Sequence, residues 1–278
     1  VKVLAAVRDP AFVTELQKGE RGLDVRLADS MEAATGALQE HEPAFVIVDE
    51  QLPFAHDLTI AIKSEIDGPD RDRIPVVTLE QPEGNGVPLR CLPDLRFPAG
   101  TSAADLVASA KAMVMRRARQ RRLFDQELVL KVKTMPEAVE QTGDVFDRLV
   151  AIAGYTEEEQ VRLGHTFREA MGNAAEHGNK NDAKRTIHVN YLRAADRVAV
   201  VITDEGKGFD TTKFLARAEE VSALEHTRSR RSNEARPGGL GVFIMKQTCD
   251  KIGFNDCGNS IYLMKYLPGH TPPSGVET

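Results

Sequence analysis

The sequence of 278 residues predicts two successive domains, an α/β sandwich on a parallel sheet and then an α+β sandwich. Three observations predict this. Short β-rich runs alternate with helical stretches in the first half. Helices followed by adjacent hairpin strands dominate the second half. Between them, a Pro- and Gly-rich interval from Gln81 to Gly100 breaks the pattern and leads into one long helix.

Taken in order, Val1 to Val7 reads as a strand, Met31 to Glu40 as a helix, and Ala44 to Val48 and Ile74 to Leu79 as further strands. These define a first domain over residues 1–100. Residues 101–127 carry apolar positions Leu106, Ala110, Met113 and Val114 and read as a helical linker. Its charge run, Arg116 to Arg122, would ring most of two turns, which suits a solvated connector better than a contact with an acidic partner. The second domain, residues 128–268, opens with a strand at Leu128 to Lys133 and a helix at Pro136 to Ala153. A second helix from Thr156 to His177 follows, with Thr156 as N-cap and acids in its first turn. Ile187 to Leu192 and Val198 to Thr203 alternate as antiparallel strands about an Ala-Ala-Asp-Arg turn. Thr211 to Arg236, polar and rich in Arg and Ser, suits a mobile loop. A helix from Leu240 to Lys251 and a strand from Ser260 to Tyr266 complete the domain, and residues 269–278 read as a disordered tail.

Composition narrows the function classes. Hydrophobic residues at 41 % with charged residues at 28 % place the chain among globular proteins rather than disordered ones. The formal net charge of −6 argues against a nucleic-acid partner, whose phosphates require a basic surface. No apolar run approaches the roughly 20 residues that cross a bilayer, so a cytoplasmic protein without a membrane partner is expected. Cys91, Cys249 and Cys257 lack the spacing of a zinc site or a disulfide framework and read as reduced thiols.

Three segments of the second half make sense as parts of one nucleotide site. In Arg168-Glu-Ala-Met-Gly-Asn-Ala-Ala-Glu-His177, residues Glu169, Asn173 and His177 recur every four positions and share one helical face. A carboxylate and an amide oxygen there are hard ligands of the kind Mg²⁺ prefers beside phosphates, and a carboxylate can also act as a base. A solvated polar stripe would show the same spacing. In Thr203-Asp-Glu-Gly-Lys-Gly-Phe-Asp210, Asp204 at a strand end can accept a hydrogen bond from an exocyclic amine. Gly206 and Gly208 allow close backbone approach to a flat ring. In Arg236-Pro-Gly-Gly-Leu-Gly241, a glycine-rich loop runs into a helix whose free amides suit a phosphate. Each is weak alone; their order and spacing make the set specific.

Together these segments resemble the N box and the two glycine boxes of the GHKL (Bergerat) ATPases. The phrase Gly-Leu-Gly-Val-Phe-Ile-Met-Lys-Gln-Thr-Cys-Asp250 is similar to the anti-sigma-factor serine kinases of that superfamily. The resemblance covers Leu128 to Leu267. It implies ATP and Mg²⁺ as cofactors, with Asn173 holding the metal, Asp204 reading the adenine amine and Arg236 meeting phosphate. It further implies that His177, Gly206, Gly208, Gly239 and Gly241 belong to the ATP site, and that Glu169 is the base for a protein hydroxyl. The implied partners are an anti-anti-sigma protein of the STAS fold and a sigma factor or other signalling protein, and a homodimer is expected. Histidine kinases share the ATP fold, but His165 lies one turn from Glu169 on the same helix, so it does not belong to a separate dimerisation helix pair. A non-catalytic ATP-gated binding module, or a histidine-kinase-like regulator, controlled by the first half, stands as the alternative to a protein serine/threonine kinase.

The first half resembles a two-component receiver domain, a flavodoxin-like fold, through Pro43-Ala-Phe-Val-Ile-Val-Asp49-Glu-Gln-Leu-Pro53. That resemblance makes Asp49 the candidate phosphoacceptor. Val7 and Arg8 stand where the receiver acid pair would be, Glu80 replaces the usual hydroxyl residue, and Phe97 replaces the usual lysine. Without the acid pair a Mg²⁺ loses most of its ligands, and Arg8 competes for its place. The half therefore reads as a pseudo-receiver, in which Asp49 is more readily a salt-bridged or turn-capping residue than a phosphosite.

Overall fold

In the computed structural model, which describes residues 1–19, 22–64, 74–80, 88–119, 124–209 and 240–271, the chain forms two compact units, Val1–Leu128 and Val129–Thr278. The first unit contains strands β1 (Lys2–Ala6), β2 (Asp24–Leu27), β3 (Phe45–Asp49), β4 (Val76–Glu80), β5 (Leu89–Cys91) and β6 (Leu95–Pro98). Its helices are α1 (Pro10–Gly19), α2 (Met31–His41), α3 (Ala55–Ser64) and α4 (Ala103–Arg119). Strands order as β2-β1-β3-β4-β6, and every pairing is parallel. Counting β6 as the fifth strand, this is the 2-1-3-4-5 order of flavodoxin-like sheets.

The central strands β1 and β3 are apolar on both faces because both faces are covered. Val3, Ala5, Phe45, Ile47 and Val77 pack with Leu16 of α1 and Leu106, Val107 and Ala110 of α4. Leu4, Ala6, Val46, Val48 and Val76 face the opposite way, onto Ala34 and Leu38 of α2 and Leu58 and Ile62 of α3. Ser30 opens α2 by accepting the Ala33 amide at 3.2 Å.

The helix expected as a linker is thus a layer of the first unit. Its stripe Leu106, Ala110, Met113 continues at helical spacing to Arg117. Arg117 is drawn inward with the stripe, and with Lys63 it pairs to Asp94. Elements that sequence patterning left unassigned are explained by composition. The edge strand β2 is short and largely exposed, and β6 lies inside the interval whose prolines and glycines read as a break.

The second unit contains β7 (Gln126–Lys133), which begins at the boundary, then α5 (Pro136–Ala151), α6 (Glu157–Asn173), β8 (Thr186–Arg193) and β9 (Arg197–Thr203). After these come α7 (Leu240–Thr248), β10 (Lys251–Phe254) and β11 (Ser260–Tyr266). Its sheet runs β10-β11-β9-β8-β7, antiparallel through β8, β9, β11 and β10. Leu128, Leu130 and Val132 of β7 alternate inward. The layer of α5 and α6 is stapled by Phe146 stacked on Phe167, with ring centroids 4.2 Å apart. Thr156 forms a full capping box with Glu159 at the start of α6. The last helix stops at Thr248, three residues short of its expected end, because Lys251 onward enters β10. The expected mobile loop, together with Arg236 and Gly239, and residues 272–278 of the expected tail lie outside the described residues.

Candidate nucleotide site

Helix α6 carries Glu169 and Asn173 one turn apart and then widens into a π-helical turn, Ala174–Gly178. The Asn179 amide reaches back five residues to the Ala174 carbonyl at 2.8 Å. Such wider turns concentrate at functional sites. This one brings His177 and Gly178 to the wall of a cavity that Asn173 also lines.

Opposite, β9 ends in the loop from Asp204 to Gly208. Asp204 accepts the Gly206 amide on Oδ1 at 2.7 Å. The Asp204 amide donates to the Asn259 carbonyl, and the Asn259 side chain donates back to the Asp204 carbonyl, both at 3.0 Å. The glycines are steric necessities. A Cβ on Gly178 would fall at 2.5 Å from Asp204 Oδ2, and one on Gly206 at 2.6 Å from the Gly178 carbonyl oxygen. Gly208 has φ +72°, and its Cβ would meet the Cys257 carbonyl.

Asn173, His177, Asp204 and Gly208 therefore share one cavity of about 650 Å³, a size suited to a nucleotide-scale ligand. Its apolar floor includes Ala170, Ile202 and Ile261, and Phe254 stands edge-on to Phe209 at 5.5 Å. Lys180, Arg185 and Lys207 add positive charge to a net acidic protein, which favours an anionic ligand. Burial raises the Asp204 carboxyl above its ordinary value, although the Gly206 amide and the Arg185 and Lys180 cations pull it down.

Glu169 does not line the cavity; it sits one turn from Asn173, against Gly241 in the first turn of α7. Sequence patterning missed Asn179, which is fully buried. Its Oδ1 accepts the Glu205 amide at 2.8 Å, and its Nδ2 donates to Thr134 Oγ1 at 2.8 Å and to the Thr186 carbonyl at 3.2 Å. This one side chain ties the end of the α6 run to the Asp204 loop. Its signal was its place directly after His177-Gly178, where the four-residue spacing stops. Lys180, Arg185 and Lys207 escaped notice because isolated cations are common on any surface.

In the first unit, Arg8 Nε donates to Asp49 Oδ2 at 2.7 Å, and Oδ1 accepts the Gln51 amide at 3.0 Å. Both carboxylate oxygens are engaged by the chain itself. Val7 is buried and Phe97 packs in the hydrophobic cluster with α1 and α4. Asp49 is thus a salt-bridged, turn-capping carboxylate.

The family model described as "Histidine kinase-like ATPase domain" matches residues 132–265. The serine-protein kinase RsbW of Bacillus subtilis (strain 168) is 28% identical over 141 residues, covering 50% of this chain and 85% of that protein. RsbW of Listeria monocytogenes serotype 4a is 27% identical over 142 residues, covering 51% and 87%. Among solved structures, the signal receiver domain of a signal transduction histidine kinase from Syntrophus aciditrophicus matches at 18% identity and TM-score 0.35, covering 44% of this chain and 96% of that one. The flavodoxin-like fold of the first unit follows from its strand order. No helix among the described residues is long and apolar enough to cross a membrane.

Proposed function

We propose, from the similarity of the second unit to histidine kinase-like ATPase domains and to RsbW serine-protein kinases, that this chain is an ATP-dependent protein serine/threonine kinase. The observation that carries the reading is the convergence of Asn173, His177 and Asp204 on one cavity with Glu169 a single turn away. In this reading the Asp204 carboxylate accepts the adenine amine, and Gly206 and Gly208 admit the ring. The phosphates extend toward Asn173 and His177, and Arg236 and Gly239 keep the phosphate-binding role expected from the sequence.

The donor set fits Mg²⁺ arriving with its nucleotide. No cluster of three acidic, His or Cys side chains among the described residues could hold a cation alone. One amide oxygen from Asn173 beside phosphate oxygens is the hard, sparse ligand set that Mg²⁺ takes. When bound, the metal supplies charge neutralisation of the phosphates. Glu169 accepts the proton of a substrate hydroxyl. The hydroxyl oxygen bonds to the γ-phosphorus as the bond to the bridging oxygen breaks and ADP departs.

The substrate in this reading is a small cytoplasmic STAS-domain protein, and a sigma factor or similar regulator is the second partner. The chain is proposed to act as a homodimer. The test is transfer of γ-labelled phosphate from Mg·ATP to a panel of STAS-domain proteins from the same cell, with Glu169→Ala in parallel. Label should pass to one panel member, and the variant should lose about 10²- to 10⁴-fold in rate while still binding ATP. ATP binding without transfer to any member would replace the kinase by an ATP-gated binding module.

A further inference from the structure

The first turn of α7 contains no acidic residue of its own, so nothing within the helix complements the positive end of its dipole. The acid comes from α6. A Cβ built on Gly241 would lie 2.8 Å from both Cγ and Cδ of Glu169, and closer still to Oε1. Real Cβ atoms essentially never approach heavy atoms under 3.0 Å. The Glu169 side chain therefore fills the space that any other residue at 241 would need. Glycine is a poor helix former and alanine the best, so a glycine inside α7 calls for a steric reason, and this contact is one.

Neither Glu169 nor Gly241 lines the nucleotide cavity, which takes Ala170, Asn173 and Ala174 from the α6 run and Met245 from α7. The two residues meet beside the cavity, where α6 packs on α7. A glycine kept to admit nucleotide would be expected on the cavity wall instead.

We propose that Gly241 is a positioning residue for Glu169. Its bare Cα lets the carboxylate lie on the first turn of α7, one helical turn from Asn173. The catalytic half of the proposal rests on Glu169 being the base; the steric half does not.

A mutant cycle on the full chain separates them: Gly241→Ala, Glu169→Ala and the double variant, each measured for thermal midpoint, ATP affinity and transfer kinetics. In the Glu169→Ala background, Gly241→Ala should raise the midpoint by a few degrees, because only the helix preference remains. With Glu169 present the same change should lower the midpoint by a few degrees. It should also cut kcat at least tenfold, with KM for ATP held within about threefold. Equal midpoint shifts in both backgrounds would overturn the contact. A raised KM with unchanged kcat would return Gly241 to nucleotide binding and overturn its positioning role. Undiminished transfer by Glu169→Ala would sink the base assignment itself, and with it the catalytic half, while the midpoints still decide the steric half. Should Gly241→Ala alone not fold, the double variant decides: a midpoint no higher than that of Glu169→Ala counts against the contact.

Discussion

Asp204 shows how one residue's chemistry links stability to ligand recognition. Burial raises its carboxyl above the ordinary value, so the folded chain holds that proton more tightly than the unfolded chain does. Its contribution to stability is then fully present below the unfolded value of about 3.9 and is lost as pH rises through the higher folded value. At neutral pH the ionised carboxylate is a cost to the fold, tolerated for an acceptor that can face an amine. Asp204→Asn should leave the midpoint at pH 7 unchanged or higher, while ATP affinity falls by about tenfold or more, since the amide can present its donor to the amine. For the native protein, ATP affinity measured from pH 7 down to pH 4 should begin to fall above the range of an ordinary aspartate. An affinity flat to pH 4, or a variant that binds ATP as well as the native chain, would remove Asp204 from base recognition. Asp204 was legible in the sequence because it ends a strand and precedes two glycines. Asn179 was not, since a buried amide that bridges segments has no periodicity to betray it.

At the level of elements, α4 and its ion pairs determine how the first unit closes. Asp94 precedes β6 and accepts Lys63 from α3 at 2.9 Å, Arg117 from α4 and the Val76 amide of β4 at 2.8 Å. Burial alone would raise this carboxyl; Lys63, Arg117 and the amide outweigh it and hold it below the usual carboxylate value. The stability it confers is present above about pH 3.9 and is lost as pH falls through the lower folded value. Because all three side chains are nearly buried, Asp94→Ala leaves two cations without their shared anion and should cost about 3–5 kcal/mol. Denaturant unfolding measures it, and a loss under about 1 kcal/mol would mean that these cations do not depend on Asp94. The arginine run illustrates what element-level reading can and cannot supply. Counting charges around a helix gave a solvated connector, whereas the apolar stripe of the same helix reaches Arg117 and turns it inward. Central strands such as β3 were plain from their unbroken apolar runs. Edge strands β2 and β10 were missed, because half-exposed strands lack that run and pair by backbone alone. The π turn was invisible, as i, i+4 spacing describes a regular helix.

The parallel sheet buries apolar residues on both of its faces and the antiparallel sheet buries others against its helices, so the two units pose separate folding problems, and the nucleotide cavity belongs to one of them. The nucleotide cavity is lined entirely by residues of the second unit. The Asp94 ion pairs lie entirely within the first. Ligand linkage acts only on the state that binds, adding about 2.7 kcal/mol at a hundredfold excess over Kd. ATP should therefore raise one calorimetric transition of the full chain, and Asp94→Ala should lower the other, with ATP affinity in that variant within about threefold of the native value. Should ATP raise both transitions together, or Asp94→Ala weaken ATP binding well beyond threefold, the two units exchange free energy. Free-energy exchange of that kind would make the first unit a regulator of nucleotide binding in the second. Independent transitions would instead mean that the first unit folds without changing nucleotide binding in the second.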